Sequence, residues 1–203
     1  MPLTAADPSS PRCDVAKPLK ASDWKIIPGV PVAEARRLCQ QWHYSRGGSN
    51  TATDVHGLVR VDDPLRLWGV AWWLPPTRVA AESVHEDWKR VVSLTRLVID
   101  PDAPRNAASF LLGRSLRILR REGRWVAVVT YADESQGHTG AIYRASNWTY
   151  VGRTGPYPRW LDGDGKQVAP KATVNRTKAE MEALGYHIEG RYHKHKFVMM
   201  LGN

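Results

Sequence analysis

The sequence predicts a single α/β domain with a mixed, mostly antiparallel sheet flanked by helices. Strand patterns and helix patterns alternate along most of the 203 residues, which is typical of α/β folds. Two of the strand patterns, 55–61 and 67–74, are separated by little more than the turn Asp62-Asp63-Pro64, and this arrangement predicts a β-hairpin. A hairpin within the series argues against a purely parallel, doubly wound sheet.

The first strand is predicted over 24–30, and the first helix begins at Pro31. Proline is favoured in the first turn of a helix, where its missing N–H costs nothing, and the apolar residues that follow it recur at helical spacing. This stripe consists of Val32, Ala35, Leu38 and Cys39. The helix runs out at Trp42-His43-Tyr44, and the polar, glycine-containing segment 45–53 predicts a loop before the hairpin.

After the hairpin, the sequence predicts a helix or excursion over 78–90, a strand over 94–99 and the clearest helix over 106–121. The apolar face of that last helix consists of Phe110, Leu111, Leu112, Leu116, Ile118 and Leu119. Gly123 follows at the position where a glycine commonly ends a helix.

The end of the chain has weaker patterns. Residues 152–174 show little apolar periodicity and many Gly, Pro, Lys and Arg residues, which predicts a long surface loop of a length that is often functional. A short helix over 177–184 and a strand over 196–201 are predicted to close the chain. We therefore expect one domain over 22–203 with a basic loop insertion around 152–176.

The composition favours a cytoplasmic protein with a polyanionic partner. The 29 basic and 20 acidic residues give a net charge of +9, which favours nucleic acid. No apolar run approaches the length of a membrane span, and residues 1–21 lack the apolar core of a secretory signal, so we expect a flexible arm there. Cys13 and Cys39 are too few for a disulfide framework, which indicates a reducing compartment. The oligomeric state stays open, with a homodimer as one option.

The most informative segment begins with the apolar run 125–130, which predicts a buried strand. Asp133 follows it, and then come a turn with His138 between glycines, a short helix carrying Tyr143 and a strand at 149–151. Open α/β sheets bind their ligands at the carboxyl ends of their strands. The gathering of a carboxylate, an imidazole and a phenol at this point predicts the functional site.

The order of elements resembles the GNAT acetyltransferase superfamily, and segment 93–101 looks like its central strand. This resemblance implies that the next loop and helix N-terminus would hold the pyrophosphate of acetyl-CoA. The corresponding residues lack the superfamily's glycines, and their side chains hinder close approach of a phosphate. They are Arg105, Asn106, Ala107, Ala108 and Ser109. The group donor therefore stays open between acetyl-CoA and a related acyl or aminoacyl compound.

A finer resemblance, over residues 22–203, is to the Mom family of phage Mu and related prophages. It is carried by Trp42-His43-Tyr44-Ser45, by Tyr131-Ala132-Asp133, by Gly-His-Thr-Gly-Ala-Ile-Tyr-Arg-Ala-Ser-Asn-Trp at 137–148, and by Lys-His-Lys-Phe-Val at 194–198. The resemblance implies a GNAT-like enzyme that adds a carbamoylmethyl group to the N6 amine of adenine in double-stranded DNA. The modified base would protect phage DNA from host restriction.

The same resemblance carries the family's catalytic residues onto His43, Tyr44, Asp133 and Tyr143. Asp133 could orient or deprotonate the amine, and Tyr143 could protonate a leaving group. The structural alternatives are a helix cap for Asp133 and a core aromatic for Tyr143, while His43 suits a base or a metal ligand. An iron requirement is also implied, with His43, Asp133 and His138 as candidate ligands, although their spacing does not indicate a metal site.

The basic segments 153–178 and 191–196 contain aromatic residues and are the candidates for contacts to DNA phosphates. An enzyme that acts on adenine in a duplex must flip the base and stack it on a ring. Tyr44 and Trp148 are the candidates for stacking, and Ser45 and His138 are expected near the substrate. Trp42 and Trp160 also lie in polar surroundings where an indole can stack on a base. The phosphate-contacting candidates are Arg153, Arg159, Lys166, Lys171, Arg176, Lys194 and Lys196.

Two other functions stay open at this point. An acyl-CoA-dependent N-acetyltransferase acting on a small amine or a protein would need a loop that cradles phosphates. A DNA-binding accessory protein without enzymatic activity would keep its biological effect after the loss of Asp133.

Overall fold

The chain folds around a seven-stranded sheet, as seen in a computed structural model that describes residues 17–45 and 49–202, apart from the side chains of 170 and 171. The strand order is β1-β2-β3-β4-β5-β9-β6, and β7 and β8 form a separate two-stranded sheet. In chain order the strands are β1 (Trp24–Ile27), β2 (Asp54–Arg60), β3 (Gly69–Leu74), β4 (Val91–Ile99), β5 (Ala127–Asp133), β6 (Thr149–Arg153), β7 (Tyr157–Leu161), β8 (His187–Tyr192) and β9 (Lys194–Met200). Among the strand pairs of the described residues, β4–β5 alone is parallel, which confirms the mixed, mostly antiparallel sheet.

Helices cover both faces of this sheet. They are α1 (Val32–Trp42), α2 (Arg78–Glu82), α3 (Ala107–Glu122), α4 (Ala141–Ala145), α5 (Pro170–Thr173) and α6 (Lys178–Ala183). The apolar stripe of α3 packs on the first four strands and buries Leu111, Leu112 and Leu119 completely. The stripe of α1 packs on the opposite face, where Ala35 and Cys39 join a second apolar cluster.

The two central strands separate part of the way along their length. Strand β4 pairs with β5 only from Val91 to Leu94, opposite Ala127 to Thr130. Beyond Leu94 no ladder pairing joins the two strands, and the next residues of each, 95–97 and 131–132, border a cavity instead. The carboxyl ends of two buried strands therefore open a cleft at the centre of the sheet, which is the position predicted from the sequence.

The structure corrects the prediction for residues 152–174. This segment is not one surface loop: it contains the end of β6, strand β7 and helix α5. Strand β7 pairs antiparallel with β8, which the sequence did not predict. Pro158 and Arg159 interrupt the apolar alternation of β7, so its pairing depends on β8 more than on its own pattern. The connection between the two strands is long and contains α5 and α6, and we call the pair the β7–β8 sheet.

The structure also refines two smaller predictions. Residues 78–90, predicted as a helix or an excursion, form the short helix α2 and a 3₁₀ turn at Trp88–Arg90. The predicted arm ends earlier than residue 21, since Leu19 is only 8% exposed and packs in the main core. Most of the arm, residues 1–16, lies outside the described residues. Among the described residues, no helix is both long and apolar enough to cross a membrane.

Candidate active site

The gap between β4 and β5 holds a cavity of about 360 Å³ whose walls include His43, Tyr44, Arg96, His138 and Tyr143. A second cavity of about 200 Å³ is lined by Tyr44, Arg96, Asp133 and Lys194, among others. Because Tyr44 and Arg96 border both, we treat the two cavities as one cleft. The fold thus brings together the four side chains predicted to be catalytic, although they come from the end of α1, the end of β5 and helix α4.

His43 lies at the C-terminal end of α1, where its backbone N–H donates to Cys39 O at 2.9 Å and its own backbone is extended. Its Nδ1 is 2.8 Å from Ser45 Oγ and accepts a hydrogen bond from Ser45 N at 3.2 Å. The backbone amide can only donate, so Nδ1 is an acceptor and the neutral ring carries its proton on Nε2. Ser45 is therefore a partner of His43 as well as a neighbour of the cleft.

The charge state of His43 is set by its surroundings. Burial, followed by the positive charge of Arg96 and the neighbouring His138, lowers the pKa of His43 from 6.5 to about 4. The imidazole is neutral near pH 7, as a proton acceptor has to be. Arg96 is a site residue that the sequence did not single out, because an arginine within a strand has no local signal of function.

Tyr44 occupies the centre of the cleft. Its ring centroid is 4.2 Å from that of His43 and 5.5 Å from that of His138, which meets it edge-on. Desolvation, and then the carboxylate of Asp133, raise the pKa of Tyr44. Tyr44 as a whole is 45% exposed and borders both parts of the cleft, so its ring is accessible to a molecule that enters there.

Asp133 ends β5 and is almost fully buried. Its Oδ1 accepts hydrogen bonds from Ser135 N at 3.0 Å, from Ser135 Oγ at 2.7 Å and from the phenol of Tyr157. The bond from Ser135 N caps the short 3₁₀ turn Glu134–Gln136. The predicted helix cap and the predicted site residue are thus the same side chain, since one oxygen caps the turn while Asp133 also borders the cleft.

Tyr143, on α4, is both a core aromatic and a wall of the cleft. Its ring packs 5.4 Å from Trp148 and 5.3 Å from Phe197, and its phenol lies 3.4 Å from Thr130 Oγ1. Burial raises the pKa of Tyr143. The phenol therefore stays protonated at neutral pH and can serve as a proton donor.

The structure does not support base stacking on two of the predicted tryptophans. Trp148 is 5% exposed because it packs on Tyr143 in the main core. Trp160, on β7, is 6% exposed and is buried within the β7–β8 sheet. Trp42 is 43% exposed, but it does not line either part of the cleft. Tyr44 is left as the predicted stacking ring that lies in the cleft.

The segment predicted to bind the donor's pyrophosphate is poorly suited to it. The backbone N–H of Ala107 donates to Pro104 O at 2.9 Å, and Ala107 is fully buried. The side-chain oxygen of Asn106 accepts a hydrogen bond from Leu19 N, so the segment before β1 covers this end of α3. Arg105 and Ser109 are exposed and Ala108 is partly exposed, but the Ala107 amide is already engaged, so this segment does not fit the pyrophosphate of coenzyme A.

A metal at the predicted triad is also not supported. Within the described residues, the one group of three His, Cys, Asp or Glu side chains with ligand atoms within 4.8 Å of each other is Asp54, His56 and Glu122, not His43, Asp133 and His138. The three predicted ligands lie on different elements around the cleft, and they do not bring their ligand atoms together.

The Asp54 group does not fit a metal either. His56 Nε2 is 3.0 Å from Asp54 Oδ2, and His56 Nδ1 accepts a hydrogen bond from Trp73 Nε1 at 3.2 Å. An indole N–H can only donate, so the proton of this buried imidazole is on Nε2. A cation at Nε2 would have to displace that proton and leave the ring without one.

The arginine and lysine residues predicted to contact DNA differ in whether their charged groups already have partners within the protein. Arg159 is tied to Glu189 at 3.0 Å and to Ser135 O at 3.3 Å. Lys196 Nζ donates to Ser83 Oγ at 2.7 Å, and partial burial lowers the pKa of Lys196. Arg153 is exposed but lies 3.8 Å from Glu134. Arg176 is exposed, and Lys194 lies beside the cleft. The side chain of Lys171 lies outside the described part of the structure.

Tyr157 is a further site residue that sequence reasoning missed. Its phenol donates to Asp133, which lies 24 positions earlier in the chain. Tyr157 belongs to the segment 152–174 that was predicted to be a loop. Burial, followed by the hydrogen bond to Asp133, raises the pKa of Tyr157. The apolar residues Tyr157, Trp160 and Leu161 were the available signal, but Pro158 and Arg159 interrupt their alternation, so the segment does not indicate a strand by itself.

Comparisons with known proteins agree with this architecture. The S18-alanine N-acetyltransferase of Escherichia coli superimposes with a TM-score of 0.53 at 11% identity, covering 89% of this chain and 95% of that one. An N-acetyltransferase from Staphylococcus aureus Mu50 gives a TM-score of 0.53 at 11% identity, with 89% and 99% covered. At this identity the likeness shows the fold alone, and it confirms the GNAT-like architecture.

The sequence comparisons are more specific. A protein named methylcarbamoylase mom, from Escherichia phage Mu, is 30% identical over 135 residues, which is 64% of this chain and 54% of that protein. The matched part thus spans about half the length of this relative. The model of the Mom protein family matches residues 25–201, from β1 to the end of β9. Because this match includes nearly all of the described domain and its cleft, the chain belongs to the Mom protein family.

Proposed function

We propose that this protein transfers a carbamoylmethyl group to the exocyclic N6 amine of adenine in double-stranded DNA. The observation that carries the proposal is the cleft itself, which combines a neutral His43, the carboxylate of Asp133 and the protonated phenol of Tyr143. The name of the relative from phage Mu, a methylcarbamoylase, supports this reaction type. Protection of phage DNA from restriction in the host cytoplasm is the biological role that would follow.

The acceptor amine needs help from the protein because its lone pair is delocalised into the purine ring. Asp133 would accept a hydrogen bond from the amine and orient it toward the donor. His43 would take up the proton as the new N–C bond forms. Since Nδ1 is the acceptor nitrogen of His43 and lies 2.8 Å from Ser45 Oγ, this proton would reach the imidazole through the Ser45 hydroxyl.

The leaving group of the donor also needs a proton. Tyr143 would supply it, because its buried phenol stays protonated and borders the larger part of the cleft. One proton thus leaves the amine toward His43 and one proton enters the leaving group from Tyr143, so that charge is conserved within the cleft. The positive charge of Arg96 would stabilise negative charge that develops on the donor.

Adenine in a duplex would have to leave the base stack to reach these groups. A volume of about 360 Å³ is enough for a purine base and a small donor group, and the exposed face of Tyr44 would stack on the base. Arg153, Arg176 and Lys194 would contact the flanking phosphates, which position the duplex without specifying its sequence.

Nucleoside mass spectrometry on plasmid DNA from expressing cells tests the proposal. We expect wild-type protein to yield a deoxyadenosine whose mass is increased by one acetamide-sized group, and Asp133→Asn to abolish it. Asp62→Asn, which changes an exposed carboxylate on the turn after β2 that pairs with Arg60, is the matched control and should retain full modification. Unmodified deoxyadenosine with soluble wild-type protein would contradict the proposal and favour a small amine or a protein as acceptor.

A further inference from the structure

Three hydrogen-bond donors converge on one oxygen of the Asp133 carboxylate. Ser135 contributes its backbone N–H at 3.0 Å and its hydroxyl at 2.7 Å, and Tyr157 contributes its phenol. The phenol of Tyr157 also lies 3.2 Å from Ser135 Oγ, so the three donors form one cluster around Oδ1. Hydrogen bonds to an ionised group are the strong ones, and three on one oxygen fix the rotation of the carboxylate about its own axis.

The other oxygen of Asp133 is left for the cleft. Its polar neighbour among the described residues is Lys194, whose Nζ is 4.0 Å from Oδ2, a distance beyond that of a hydrogen bond. Asp133 lines the smaller part of the cleft together with Tyr44 and Arg96. A carboxylate whose Oδ1 is fully engaged and whose Oδ2 is open presents a single acceptor atom in a defined direction.

The donor that completes this cluster does not belong to the main sheet. Tyr157 is on β7, in the β7–β8 sheet. The same sheet contacts the turn after Asp133 through Arg159 Nη1, which donates to Ser135 O at 3.3 Å. Gln167, in the loop after β7, is 3.4 Å from the side chain of Gln136. The small sheet is therefore seated on the turn that carries Asp133.

We propose that Tyr157 is a positioning residue for the reaction, which holds Oδ1 of Asp133 so that Oδ2 faces the adenine amine. The inference rests on the proposed function, because it assigns Asp133 an amine to orient. It also gives the β7–β8 sheet a second role besides contacting DNA with its basic residues, because its packing on the turn after Asp133 completes the hydrogen bonds of the carboxylate. Burial and the Asp133 carboxylate both raise the pKa of Tyr157, so the phenol stays protonated and remains a donor near neutral pH.

The variant Tyr157→Phe tests this role because it removes one hydroxyl and keeps the ring. The matched control is Tyr192→Phe. Tyr192 lies directly opposite Tyr157 in the register of the β7–β8 sheet, and the partner of its phenol among the described residues is Glu189, at 3.5 Å. Three quantities are measured for each variant at equal protein level: the initial rate of deoxyadenosine modification in plasmid DNA, the Kd for a duplex oligonucleotide, and the Tm.

We expect Tyr157→Phe to lower the modification rate about 10- to 150-fold, the loss that corresponds to one hydrogen bond to a charged group. Kd should change less than about twofold, and Tm should fall by no more than about 3–12 °C, so that the protein stays folded at the assay temperature. Equal rates for the two variants would overturn the positioning role and leave the proposed function standing. A rate loss that is fully accounted for by weaker DNA binding or by unfolded protein would also overturn it, since the phenol would then only hold the β7–β8 sheet in place. Absence of modified deoxyadenosine in the wild type would remove the proposed function, and this inference with it.

Discussion

Gly140, at the N-terminus of α4, is the position where the structure makes its sharpest prediction about stability. Its φ is +76°, a left-handed conformation that costs an L-residue about 1–2 kcal/mol. A Cβ added there would overlap with Cε2 and Cζ of Phe197, which is fully buried and packs 5.3 Å from Tyr143. The variant Gly140→Ala therefore combines backbone strain with a steric overlap in the core, next to the proposed proton donor.

The expected cost can be separated into these two parts by a control three residues earlier. Gly137 has a φ of +69°, but a Cβ there would meet no atom within 4 Å. Gly137→Ala should lose only the strain, about 1 kcal/mol after the gain from a less flexible unfolded chain. Gly140→Ala should lose a further 1–3 kcal/mol or so through overpacking.

Thermal unfolding of the two variants tests this difference. For a chain of this size, about 1 kcal/mol corresponds to 2–4 °C in Tm, so we expect a decrease of about 2–4 °C for Gly137→Ala and about 5–15 °C for Gly140→Ala. Urea unfolding should give the same order. Equal decreases in Tm for both variants would refute the reasoning, because they would mean that Phe197 does not pack against Gly140.

Two further predictions concern pH and salt. Because burial and Arg96 hold the pKa of His43 near 4, modification in a lysate should persist at pH 5 and fall only as His43 becomes protonated below that, and Arg96→Gln should move this loss to higher pH. A wild-type loss centred on 6.5, the ordinary value for histidine, would exclude a dependence on the His43 of this cleft. For DNA binding, Arg176→Gln should reduce the slope of log Kd against log salt concentration by about 1, whereas Arg78→Gln should not, because Arg78 already pairs within α2. Fluorescence anisotropy with a duplex oligonucleotide measures both slopes, and identical slopes would place the DNA away from Arg176.

The sequence by itself determined the elements whose signals are local. The helix predicted over 106–121 is α3, because a 3.6-residue apolar stripe and a terminal glycine are properties of one short segment. The hairpin of β2 and β3 and the strand that ends at Asp133 were predicted for the same reason. The motif residues His43, Tyr44 and Tyr143 could be named from the string of residue types around them, and the structure places all three at the cleft.

The tertiary structure decided what depends on partners distant in the chain. The pairing of β7 with β8 joins segments about 30 residues apart, so neither strand had a sufficient pattern of its own. The neutral state of His43 comes from burial and from Arg96, more than 50 positions away, and the burial of Trp148 comes from its packing in the core. The contact between Tyr157 and Asp133 exists because the β7–β8 sheet packs on the turn after β5. Local patterns follow from the preferences of neighbouring residues, whereas burial, charge state and the orientation of a carboxylate are set by atoms that only the completed fold brings together.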